Sequence, residues 1–220
     1  MNETRHNLAP LLVYVGAFFL VWALRATVFY SFDTGIESEA LRNVYSNAVK
    51  LFIWVLPVFV YLIKVDRVSP FRYLKLDTPP DKASSIFALI IIAIYFSGVI
   101  LISLFVQGKH FKLSVSVVGL LSTSVSSLFE EILFRGFILN KLRESLGFWK
   151  ANLLAALLFS LIHLPNWLWT KGLQTQIVID ALSLFILACF LGYLVKKTNS
   201  LWPSVAAHIT NNILASTLSV

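Results

Sequence analysis

An all-α, polytopic transmembrane helical bundle of about seven spans is the fold class this sequence predicts, and three observations predict it. Hydrophobic residues make up 58% of the 220 residues and the mean hydropathy is +0.79, too apolar for a water-soluble domain of this size. Apolar stretches near or above the ~20 residues that a bilayer core requires recur along the whole chain. Lys and Arg gather in the short segments between those stretches. In a soluble protein a net charge of +7 would suggest nucleic acid as a partner. Here the basic residues set membrane topology, so the lipid bilayer is the expected partner and nucleic acid is not.

The first apolar run, from about Leu8 to Tyr30, follows Arg5. It is too long for a signal peptide, lacks a small-residue cleavage pattern and precedes further spans, so it reads as a retained helix. Further runs fall at 44–63, 84–106, 113–140, 150–168, 174–195 and 201–219. Two connections are sizeable, 31–43 and the proline-containing segment from Lys64 to Lys82. Residues 1–112 form a three-span region without a chemical signature, and residues 113–220 carry every motif described below. The single cysteine, Cys189, excludes an internal disulfide and is expected only to pack.

Orientation follows from the basic residues. Arg5, the Lys64–Lys82 segment, the 141–150 connection and Lys196-Lys197 fall on one side, against only Arg42, Lys109, Lys112 and Lys171 on the other. The first side is cytoplasmic by the positive-inside rule, which puts the N-terminus inside a cell membrane. Arg25 and Lys50 are read as residues near outer helix ends that snorkel to the interface, and Asp180 lies near the outer end of the sixth span.

The fourth run contains Phe129-Glu130-Glu131-Ile132-Leu133-Phe134-Arg135. Three ionisable groups at membrane depth cost several kcal/mol, so a chain carries them there only with partners or a task. On a helix Glu131 and Arg135 are four apart and can pair, while Glu130 points about 100° away. One carboxylate is therefore held and the other is free. Two later runs are also interrupted by polar groups. His163 lies deep in the fifth, with Pro165 just beyond it, and the seventh carries His208 and Asn212 four residues apart on one face.

Counted from the cytoplasmic ends at 1.5 Å per residue, Glu130 lies ~16 Å deep, His163 ~20 Å and His208 ~12 Å. Three spans thus bring a carboxylate and two imidazoles to a similar level. A buried carboxylate with histidines is equipment for activating water, and peptide hydrolysis is the obvious use. The spacing fits neither the H-E-x-x-H metalloprotease helix nor a G-x-S-x-G serine elbow.

On these motifs the chain resembles the family of CAAX proteases and bacteriocin-processing enzymes, the CPBP or Abi membrane proteins, which includes the type II CAAX prenyl endopeptidases. Glu130, Glu131 and Arg135 match its first motif, Phe159 and His163 its second, and His208 and Asn212 its last. The resemblance implies an intramembrane endopeptidase acting on a peptide or membrane-protein substrate, with a cavity open to the cytoplasm. It implies Glu130 as general base, His163 as its helper, His208 and Asn212 at the oxyanion, and Glu131 with Arg135 fixing the helix and contacting substrate. It leaves open a divalent metal such as zinc, for which Glu130, His163 and His208 would supply three ligands. Family members acting on prenylated proteins usually have eight spans, against seven counted here.

Each motif also has a plain structural reading. Glu131 with Arg135 is then a self-neutralising ion pair, His163 a helix-end histidine bonded to a backbone carbonyl, and His208 with Asn212 packing glue worth about 1 kcal/mol for each hydrogen bond. The competing functions are a non-catalytic immunity or scaffold membrane protein and a proton-coupled transporter. No inverted repeat or pair of broken helices favours the transporter.

Overall fold

A chain in lipid must satisfy its backbone polar groups internally, and helices do so within one segment. The computed structural model describes residues 8–112 and 116–219, and the chain is an all-α membrane bundle. Arg5 and Leu113, the first residue of the fourth expected run, lie outside the described residues. Six helices are long and apolar enough to span a bilayer: α1 (Ala9–Thr27), α2 (Glu39–Asp66), α3 (Lys82–Val106), α4 (Val117–Arg143), α5 (Phe148–Lys171) and α6 (Thr175–Thr198). The seventh expected span is a 16-residue helix, α7 (Trp202–Thr217). At 1.5 Å per residue it reaches only about 24 Å. It ends because the chain turns extended at Leu218–Ser219 (β2), which pairs antiparallel with His110–Phe111 (β1).

Several helices carry π-helical turns, which insert an extra residue and are frequent at functional sites. In α2 they cover Leu51–Val55 and Leu62–Asp66, and in α4 Ile132–Ile138, directly after the glutamate pair. Helix α4 starts at Ser116, whose hydroxyl accepts from Gly119 N at 2.9 Å and satisfies one free N–H of the first turn.

The helices alternate in direction, so their connections fall on two faces. On one face Lys141 pairs with Asp66 at 2.9 Å, the Tyr73 hydroxyl donates to Glu144 at 2.6 Å, and Lys75 donates to Asn199 Oδ1 at 2.6 Å. This is the face rich in Lys and Arg. The loop that follows α2 tucks Leu74 inward, fully buried, against Gly136 of α4, where a side chain would stand 3.0 Å from Leu74 Cδ2. On the opposite face Ser116 donates to Glu39 at 2.6 Å and Asn47 donates to Ser122 Oγ at 2.9 Å.

The core lies between the site and the basic face. Leu62, Leu74, Leu133, Phe134, Phe137, Ile138 and Leu201 are all fully buried there. Trp54 packs edge-on against Phe18 and Phe134, so the first two spans share this core with α4. Lipid is no less apolar than leucine, so close packing and not water exclusion holds such helices together. Helix α6 approaches α5 closely at Gly192, where an added Cβ would meet Asn152 Oδ1 at 1.9 Å. Outward-facing leucine, isoleucine and phenylalanine side chains, such as Leu89, Ile94 and Phe105 on α3, are exposed as a lipid-facing surface requires.

Candidate functional site

Glu130 and Glu131 diverge from α4 as adjacent helical residues must. Glu131 is wholly buried. Its Oε1 accepts His208 Nδ1 at 2.8 Å and lies 2.9 Å from Arg135 Nη1, while its Oε2 accepts the Ser204 hydroxyl in a short hydrogen bond. The expected Glu131–Arg135 pair is present, and Glu131 also ties α4 to α7. The Arg135 guanidinium lies 4.3 Å over the Phe159 ring. That ring also stands edge-on to His163 and His208, with centroids 5.1 and 5.6 Å away. Phe159 is thus the spacer around which the arginine and both imidazoles are arranged.

Glu130 differs from its expected state: it is not free. Lys50 of α2 donates to its Oε1 at 2.5 Å, and the Ser126 hydroxyl, one turn back, donates to the same oxygen at 3.2 Å. Lys50 also forms a short hydrogen bond to Ser126 Oγ. Oε2 carries no such ties and lies 3.6 Å from His208 Nε2. Two buried carboxylates are therefore balanced by Lys50 and Arg135, which is how a membrane protein holds anions at depth.

The expectation that Lys50 snorkels is corrected by this contact. Helix α2 begins at Glu39, five residues before the apolar run that announces it, so Lys50 lies about 17 Å along the helix and its side chain is only 13% exposed. Arg25 stacks 5.4 Å over Trp22 and lines the same cavity as Lys50. Asp180 pairs with Lys171 at 3.3 Å at the start of α6, the outer end expected for it.

His163 is positioned by a break in its helix. The α-helical ladder of α5 stops at Leu161, and the His163 backbone N–H turns to Ser160 O at 3.2 Å. The carbonyl of Phe159, which a continuous helix would offer to that N–H, is taken by His163 Nδ1 at 2.8 Å. A carbonyl only accepts, so Nδ1 carries the hydrogen and a neutral ring keeps its lone pair on Nε2. Pro165, which has no N–H to donate, follows at the start of the next helical segment. The carbonyl bond foreseen for this histidine is present, and the ring still lines the cavity opposite Glu130.

That cavity, of about 300 Å³, is bounded by Trp22, Arg25, Tyr30, Lys50, Glu130, His163 and Asn166, among others. A more open groove of about 450 Å³ adjoins it, lined by Ser46, Asn47, Ser122, Ser126 and Asn212 among others. Asn212 Nδ2 donates to Ser127 Oγ at 3.0 Å, linking α7 back to α4. Of the residues expected at the site, Glu130, Glu131, Arg135, His208 and Phe159 are joined by direct contacts, His163 shares a cavity with Glu130, and Asn212 stands one turn beyond His208. Lys50 and Ser204 were missed. A serine one turn before His208 carries a weak signal, but a lone lysine on a distant helix carries none.

Both recesses lie on the half of the bundle away from the basic loops, since they are built from the C-terminal end of α1, the N-terminal halves of α2 and α4, and the C-terminal halves of α5 and α7. The cavity was expected to open on the basic side. The packed core from Phe134 to Leu142, with Leu62, Leu74 and Leu201, fills that side instead.

As arranged, the donor set does not fit a divalent ion. No group of three His, Cys, Asp or Glu side chains is gathered at ligand spacing among the described residues. The Lys50 ammonium already stands on Glu130 Oε1 at 2.5 Å.

The fold and site together define a polytopic membrane protein with a charge-compensated carboxylate–histidine centre inside its helical bundle. Residues 112–214, a little under half of the chain, match the family model "Type II CAAX prenyl endopeptidase Rce1-like". No curated protein and no solved structure matches the chain.

Proposed function

We propose that this protein is an intramembrane endopeptidase in which Glu130 activates water for attack on a peptide bond of a membrane-associated protein or peptide. The observation that carries this reading is the asymmetry of the Glu130 carboxylate. Lys50 and Ser126 occupy Oε1, Oε2 lies 3.6 Å from His208 Nε2, and the residue borders the cavity that His163 also lines. A general base must be ionised in the resting enzyme, and the Lys50 ammonium held against one oxygen gives the buried carboxylate its counter-charge.

Water held between Glu130 Oε2 and His163 Nε2 attacks the scissile carbonyl carbon and gives its proton to Glu130. The carbonyl oxygen becomes an oxyanion, for which the family resemblance implies Asn212 and His208 as donors; His208 gives its Nδ1 hydrogen to Glu131 Oε1, so it donates from Nε2 only as an imidazolium. Such donors act strongly where water is excluded. The C–N bond then breaks as Glu130 returns the proton to the leaving amine. Glu131, with every tie satisfied, fixes α7 and Arg135 and takes no proton.

In purified protein reconstituted in bilayers, Glu130→Gln is expected to abolish cleavage of a quenched fluorescent peptide. His163→Ala should lower it by two or more orders of magnitude, in the range typical of acid–base groups. Retention of full cleavage by Glu130→Gln in folded protein would remove the assignment.

A further inference from the structure

The way to Glu130 is one-sided. From the glutamate toward the basic face the bundle is closed by fully buried Leu133, Phe134, Phe137, Leu62 and Leu74. Toward the other face the cavity runs past His163 and Lys50 to Arg25 and Tyr30, at the end of α1 and the loop after it. Ser46 borders both this cavity and the neighbouring groove, and Ser126 of the groove bonds directly to Lys50 and Glu130. The two recesses are therefore one polar approach to a single carboxylate.

Lys64, Arg67, Arg72, Lys75, Lys82, Lys141, Arg143, Lys150, Lys196 and Lys197 flank the closed side, against Arg42, Lys109, Lys112 and Lys171 on the open one. Basic residues in short loops remain in the cytoplasm. We infer that substrates reach Glu130 from the membrane face away from the cytoplasm, as an uncharged, extended stretch of polypeptide. The groove supplies the matching chemistry, since its lining is hydroxyl and amide groups without a charged side chain. Such groups pair with peptide N–H and C=O, and none of them supplies the opposite charge that an ionic residue would need at this depth. The substrates are thus secreted peptides or the outer segments of membrane proteins.

This inference deepens the peptidase reading and rests on it for the word substrate, but its test needs no cleavage. In a Cys189→Ser background, Ser46→Cys and Ser216→Cys place single thiols in the groove, and Arg143→Cys places one on the basic face. A membrane-impermeant maleimide applied to intact cells is expected to label both groove variants and to label Arg143→Cys only after lysis. Bulky maleimide adducts at Ser46→Cys should cut peptide cleavage at least tenfold in reconstituted protein, while the adduct at Arg143→Cys leaves it unchanged. Labelling of folded groove variants only after lysis, the reverse pattern at Arg143→Cys, or no labelling of either groove variant would overturn the inference. Glu130→Gln that still cleaves would instead reject the peptidase reading and leave the labelling result standing.

Discussion

Glu130 and Glu131 are chemically identical neighbours separated by one helical step, and their surroundings give them different work. Glu131 spends both oxygens on Arg135, His208 and Ser204, whereas Glu130 is held by Lys50 and Ser126 through Oε1 alone and borders a cavity. The Lys50–Glu130 pair should be strongly coupled. Lys50→Met leaves a buried carboxylate without its cation and is expected to destabilise the protein by about 3–5 kcal/mol. Adding Glu130→Gln to it should recover most of that loss, as thermal unfolding in detergent would measure; a double variant no better than Lys50→Met would mean that packing, not charge, is lost. Chelation supplies a second test at this scale. Cleavage is expected to persist through exhaustive chelation, and its loss with recovery on adding zinc would show that the side chains rearrange to bind an ion.

At the scale of elements, what could be read in advance follows from what a helix imposes. The i, i+4 spacing of Glu131 with Arg135 and the position of Pro165 beyond His163 are properties of single segments, and both features are present as the residues foretold. Lys50 was not legible because its role depends on where α2 begins. The amphipathic turns from Glu39 to Ser46 extend the helix below the apolar run and sink the lysine to the level of Glu130. The short α7 was likewise hidden, since its end is set by pairing of β2 with a strand more than a hundred residues earlier. Helix contacts set the remaining prediction. Gly192→Ala would drive a methyl group into Asn152, whose amide donates to Cys189 O at 3.0 Å, and is expected to cost about 1–3 kcal/mol by overpacking. An unchanged melting temperature would mean that α5 and α6 separate without penalty.

For the whole molecule, the first two spans are part of the machinery. The family match covers residues 112–214, yet Lys50 and the wall formed by Trp22, Arg25 and Trp54 come from outside it. A fragment restricted to the matched segment would leave Glu130 without its cation, and the core around Phe134 would lose Phe18 and Trp54. The sequence located the charged centre because ionisable residues are costly in lipid wherever they occur. It could not reveal which face is open, because that depends on how Leu62, Leu74 and Leu201 from separate segments fill one half of the bundle. The central claim remains hydrolysis by water activated at Glu130, and one measurement addresses it most directly. Membranes containing the wild type or Glu130→Gln are incubated in heavy-oxygen water, and new peptide C-termini are read by mass spectrometry. The account predicts termini carrying a single heavy oxygen with the wild type and none above background with Glu130→Gln; equal yields from the two would contradict it.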